Sequence, residues 1–85
     1  MIFLMFFSGK FEYLHQGHCG GGSWVGPNTN KESIYGCRDE CAGRIDVGYF
    51  AYKTGSICAC YTKNGGCNYD GHHMDHTSYE ILDSG

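Results

Sequence analysis

Six cysteines stand where two chemistries compete, disulfide formation and metal ligation. Cys37 and Cys41 are four apart in Ile34–Arg44, a helix-like segment, so their sulfurs share one helix face about 6 Å apart. Cys58 and Cys60 are two apart in Ile57–Thr62, a β-prone run, and so share one sheet face roughly 6.6–6.8 Å apart. The intervals nearly match, which makes two side-by-side disulfides from helix to strand sterically reasonable. Spacing alone leaves open which of Cys37 and Cys41 meets which of Cys58 and Cys60. Cys19 and Cys67 remain as a third pair. Zinc is the competing use, but a Cys-x-Cys step is too tight for most zinc knuckles. Disulfides are the expectation.

A second polar cluster is His72-His73-Met74-Asp75-His76, with Asp70 just before it. Imidazole suits Zn²⁺, Ni²⁺ and Cu²⁺, which makes His72, His73 and His76 weak metal candidates. A glycine-flanked loop promises neither rigid geometry nor outer hydrogen-bond partners for such a site. A solvated loop is therefore expected, with no metal and no cofactor. Trp24, Tyr61 and Tyr69 flank loops, where rigid amphipathic rings make recognition contacts with sugars or proteins. The competing reading is that they roof a thin core. Catalysis finds little support: no serine sits in a Gly-x-Ser-x-Gly elbow, and so short a chain leaves little room for a two-carboxylate cleft.

The elements that must position these residues are few. Ser33 is a good N-cap for a helix whose inward stripe is Ile34, Cys37 and Cys41, with Arg38, Asp39, Glu40 and Arg44 facing solvent. Gly36 weakens that helix and is read as allowing close approach to the sheet. Val47–Tyr52 and Ile57–Thr62 are aromatic β-prone runs joined by the turn Lys53-Thr-Gly-Ser56. Lys63-Asn-Gly-Gly66 is a second turn, Phe11–Leu14 a short strand, and Thr77–Leu82 the closing strand. Gly17–Asn30 reads as a loop, its glycines serving turns at positive φ rather than a phosphate cradle. The expected fold class is α+β, one helix on a small antiparallel sheet, stapled by disulfides.

Met1-Ile-Phe-Leu-Met-Phe-Phe7 is too short to span a bilayer and lacks the basic start of a signal peptide. It is read as a strand buried on both faces, in this domain or a neighbouring copy, with a clipped signal remnant as the alternative. Ile2, Phe3, Leu4, Phe6 and Phe7 are the self-association candidates. Residues 1–10 are thus an apolar strand or tail and 11–85 one domain. Eighty-five residues barely supply a sufficient core, so covalent clips in an oxidising, extracellular setting are the expected compensation. The net charge of −3, with six scattered Lys and Arg, argues against nucleic acid or anionic membrane as a partner. No Asn-x-Ser/Thr sequon is present.

Cys37-x3-Cys41, Gly48-Tyr-Phe-Ala-Tyr52, Gly55-x2-Cys58-Ala-Cys60-Tyr61 and Asp75-x3-Ser78-Tyr-Glu-Ile81 together resemble a PAN/apple-like domain, over roughly Phe11 to Leu82. The Cys-x-Cys step also looks like that of WSC domains, which are associated with cell-wall polysaccharide. PAN/apple domains carry a cysteine just before the Phe-x-Tyr strand, where this chain has Val47. The resemblance implies that Cys60 takes over the role of meeting Cys41. It also implies a non-enzymatic extracellular module that binds carbohydrate or protein. Two alternatives stand beside it: a subunit that assembles into filaments or oligomers by strand donation from Met1–Phe7, and a small toxin or defence peptide. Acidic charge weighs against the latter, since membrane-active peptides are usually basic.

Overall fold

A computed structural model describes residues 9–82. The apolar run Met1–Phe7, and with it Ile2, Phe3, Leu4, Phe6 and Phe7, lies outside the described residues. Six elements follow in order: β1 (Lys10–Gln16), β2 (Trp24–Asn30), α1 (Ile34–Ala42), β3 (Val47–Tyr52), β4 (Ile57–Thr62) and β5 (Thr77–Leu82). The strands form one antiparallel sheet in the order β1-β5-β3-β4-β2. This is the α+β arrangement expected, with the helix, the β3–β4 hairpin and the closing strand where their patterns place them.

Local chemistry explains the boundaries. Ser33 has extended backbone and its Oγ accepts from the Gly36 amide at 3.1 Å, which satisfies a first-turn donor. At the other end the Gly43 amide donates to Asp39 O at 3.1 Å, and Asp46 at φ 63° turns the chain into β3. The Lys53–Ser56 turn closes with Ser56 N–H to Lys53 O at 2.9 Å. In β3 the register slips between Val47 and Tyr49, so Val47 joins Phe50 and Tyr52 on the helix side despite its odd spacing.

The sheet buries both faces. Under α1 lie Cys37, Cys41, Val47, Phe50, Tyr52, Cys58 and Cys60. Beneath the opposite face lie Cys19, Ala51, Ala59 and Tyr61, with Tyr49 and Cys67 at the margin. Ala51 and Ala59 are register partners, and their small side chains leave room for the Cys19–Cys67 bond to rest on the strands. Three disulfides staple the whole: Cys19–Cys67, Cys37–Cys58 and Cys41–Cys60. The two helix clips share one Cα–Cα separation, 5.3 Å, as matched i,i+4 and i,i+2 intervals require. Because the leading cysteine meets the leading cysteine, α1 runs in the same direction as β4. Each clip closes a loop of about 20 residues, worth roughly 3 kcal/mol in the chain-entropy estimate.

Three expectations are overturned. The Gly17–Asn30 loop contains β2, paired to β4 through Trp24↔Tyr61, Val25↔Cys60, Thr29↔Cys58 and Asn30↔Ile57. Pairing breaks between Val25 and Thr29, around the cis Gly26–Pro27 bond. An edge strand tolerates a proline that a central strand would reject, because its outer side donates to no neighbour. Arg38 and Arg44 do not simply face solvent. Arg38 is 8% exposed; its Nε donates to Lys10 O at 3.1 Å and its Nη2 to Leu82 O at 2.8 Å. Arg44 is half-buried and donates through Nη1 to Val25 O at 2.8 Å, inside the β2 interruption. A nine-residue helix on five strands leaves edge carbonyls that only long cationic donors can reach. Gly36 meets only Ser33 and Lys31 atoms, so it does not serve helix–sheet approach.

Candidate functional site

α1 covers the β3–β4 half of its face, and the β1–β5 half is left to aromatic side chains. Phe11 and Tyr79 meet edge-on at 5.3 Å, Tyr79 stacks on Phe50 at 5.1 Å, and Phe11 lies 5.7 Å from Tyr35 on the helix. Tyr13 and Tyr35 remain well exposed at the margins. Beside this cluster opens a cleft of about 290 Å³, lined by Glu32, Ser33, Ile34, Tyr52, Thr54, Gly55 and Tyr79. It is the space between the first helical turn, the β3–β4 turn and β5.

Its walls are held in place. The Tyr52 hydroxyl donates to Lys31 O at 2.7 Å and accepts from the Gly55 amide at 3.0 Å, which ties turn to helix entry. Tyr79 is fixed by its stack on Phe50, and burial pushes its hydroxyl up from the ordinary tyrosine range. Glu32 and Thr54 are exposed at the mouth. An apolar floor with few convergent polar groups is the usual make-up of a ligand pocket, and this volume sits at the small end, near about 300 Å³. One sugar ring or one peptide side chain suits it better than a large cofactor.

The residues singled out from sequence fall in three places. Trp24 is 57% exposed, and its indole N–H donates to Asn28 Oδ1 at 2.6 Å. The ring lies across Gly26, leaving no room for a Cβ there, so it forms a pinned, outward-facing plate. Tyr61 is buried, 6% exposed, and burial followed by the Asp70 carboxylate pushes its hydroxyl up. Tyr69 is exposed but packs edge-on against His15 at 5.8 Å. The structure thus pairs Trp24 with Tyr61 across β2 and β4 and leaves Tyr69 elsewhere. Exposed His73 and half-buried His76 line a small cleft on the face opposite α1, and His72, also exposed, does not.

The helix-side cleft was missed by sequence reasoning, since Ile34 reads as part of the helix's inward stripe and Tyr52 and Tyr79 only as strand residues. The only signal was an excess of aromatics over what one short helix can cover. Among the described residues, no helix is long and apolar enough to cross a membrane. No family model, no curated protein and no solved structure matches this chain.

Proposed function

We propose that this chain is a non-enzymatic recognition module of an extracellular protein, of the PAN/apple-like kind its cysteine and aromatic pattern resembles. Its ligand is a carbohydrate or a protein. Three disulfides in a small domain support the compartment, because such bonds persist where the surroundings are oxidising. The observation that carries the binding role is the helix-side cleft: locked aromatic walls, with a carboxylate and a hydroxyl at its mouth. Rings already ordered lose little freedom on binding, and a polar rim sets orientation. Trp24, a second rigid plate, lies on the face opposite α1 beside Tyr61 and is a separate recognition contact.

The test is binding of the oxidised protein to arrayed glycans and matrix proteins. Thr54→Trp, which fills the cleft mouth, and Glu32→Ala each abolish or strongly weaken binding there; Trp24→Ala, on the opposite face, leaves binding in the helix-side cleft unchanged. Absence of binding to every arrayed glycan and protein counts against the recognition role.

One observation favours a second reading, self-assembly. Among the described residues β1 is an edge strand, and in the sequence the apolar run Met1–Phe7 stands just before it, which supports strand addition between copies. Deleting residues 1–7 then converts an assembly into monomers on a sizing column. A monomer before the deletion refutes it.

A further inference from the structure

We infer that the face opposite α1 carries a binding site for a transition-metal dication of the zinc and copper class, with His18, His73 and His76 as ligands. The three rings converge on a cleft of about 120 Å³ whose other walls are Asn28, Ala59 and Tyr61. His18 and His73 have ring centroids 4.8 Å apart, and His73 and His76 stand 6.2 Å apart. His18 comes from a segment more than fifty residues before the other two, so chain proximity does not explain the gathering.

Two of the rings already have the outer partner that metal-bound imidazoles take. Asp70 Oδ2 lies 2.9 Å from His18 Nε2, and Asp75 Oδ1 lies 3.0 Å from His76 Nδ1. Each contact fixes ring orientation and leaves the other nitrogen, His18 Nδ1 or His76 Nε2, for a ligand. The backbone beneath is knit together. Gly17 N–H donates to His76 O at 2.7 Å, His18 N–H to His72 O at 3.3 Å, and His76 N–H to His73 O at 2.9 Å. His73 itself sits at φ 52°, a left-handed backbone that a non-glycine residue holds at a cost. Asp70 adds negative charge where a dication would rest, while the Asp75 carboxylate is shared with Lys53 Nζ at 3.4 Å.

Neutral imidazole selects Zn²⁺, Cu²⁺ or Ni²⁺ over Ca²⁺ or Mg²⁺, which prefer oxygen. Three protein ligands leave a fourth tetrahedral position open to water or to a ligand group. Among the described residues the only donor trio whose atoms lie within 4.8 Å of one another is Cys37, Cys41 and Cys58, which the disulfides occupy. The histidine set is therefore wider than a bound ion would hold it, and binding requires His73, the one exposed member, to swing toward His18 and His76. This inference stands whether or not the helix-side cleft binds a ligand, since the two lie on opposite faces of the sheet.

Asn28 supplies a readout, because it lines the metal cleft and accepts from the sole tryptophan, Trp24. Titrating the oxidised full chain with zinc chloride gives a one-to-one calorimetric isotherm, and copper chloride gives saturable quenching of Trp24 emission. His73→Ala and His76→Ala each weaken binding by about tenfold or more, Asp75→Asn by about 10–100-fold, and His72→Ala leaves it unchanged. In the unmodified protein, zinc shifts the ring resonances of His18, His73 and His76 and spares His15, whose nitrogens contact Gln16 O and Cys67 O. That measurement keeps the test open if a variant misfolds. Non-saturating titration up to about 1 mM metal, which corresponds to roughly 4 kcal/mol of binding, overturns the inference. So does an equal loss in His72→Ala, or resonance shifts shared with His15.

Discussion

Replacing Arg38 by Met tests whether the helix is held by its arginine as well as by its disulfides. The side chain is 8% exposed, and its stem fills a volume that methionine largely preserves, so the change isolates the guanidinium. Two charge-assisted hydrogen bonds are lost, to Lys10 O at 3.1 Å and Leu82 O at 2.8 Å. A hydrogen bond to a charged group is worth about 1.5–3 kcal/mol, and these carbonyls regain some water, so the low end applies to each. The loss is about 3 kcal/mol. The contact with Asp39 adds little, because that carboxylate is 68% exposed and the pair is screened. At about 4–8 °C per kcal/mol for a domain of this size, the midpoint falls by about 12–24 °C. Thermal and urea melts of the oxidised protein, followed by circular dichroism, measure it. Asp39→Ala stays within about 0.5 kcal/mol and Arg38→Lys recovers part of the loss. A change below about 0.5 kcal/mol for Arg38→Met would refute the reasoning, since two buried charged contacts cannot be that cheap.

Two further outcomes follow from single groups. Thr29 Oγ1 is the one buried side-chain polar atom without a hydrogen-bond partner among the described residues, so Thr29→Val, nearly isosteric, raises stability by about 1 kcal/mol in the same urea melts. Glu40 is held below the ordinary carboxylate range first by its hydrogen bond from Arg44 and then by that from Lys31. A lowered folded-state value means that its contribution is complete above the unfolded value, near pH 4.5, and is lost as pH falls through the folded one. Glu40→Gln therefore flattens the acid side of the stability–pH curve and leaves its slope above pH 6 or so unchanged.

Local rules carried much of the fold. Ser33 as cap, the Lys53–Ser56 turn and the Thr77–Leu82 strand are written in nearest-neighbour chemistry, which needs no knowledge of the rest of the chain. β2 was hidden for the opposite reason. Gly26, Pro27 and Asn28 are poor strand formers, and only the open edge beside β4 turns them into one. Likewise Tyr79 alternates as a core residue should, yet the helix is too short to roof the sheet above it, and the aromatic cleft is what remains.

By itself the sequence determined that Cys37 and Cys41 could meet Cys58 and Cys60, because helix and strand periods set sulfur spacing before any packing occurs. It also determined that the chain would need such bonds at all, given how little core this length can supply. Spacing left the sense of the pairing open; the tertiary structure has Cys41 meet Cys60, as the resemblance implies, because of the way α1 lies along β4. It alone bent Arg38 and Arg44 onto strand carbonyls of β1 and β2, at both edges of the sheet, and brought His18 to His73 and His76. Periodicity tells a side chain which face it occupies. What waits on that face is set by residues far away in the chain.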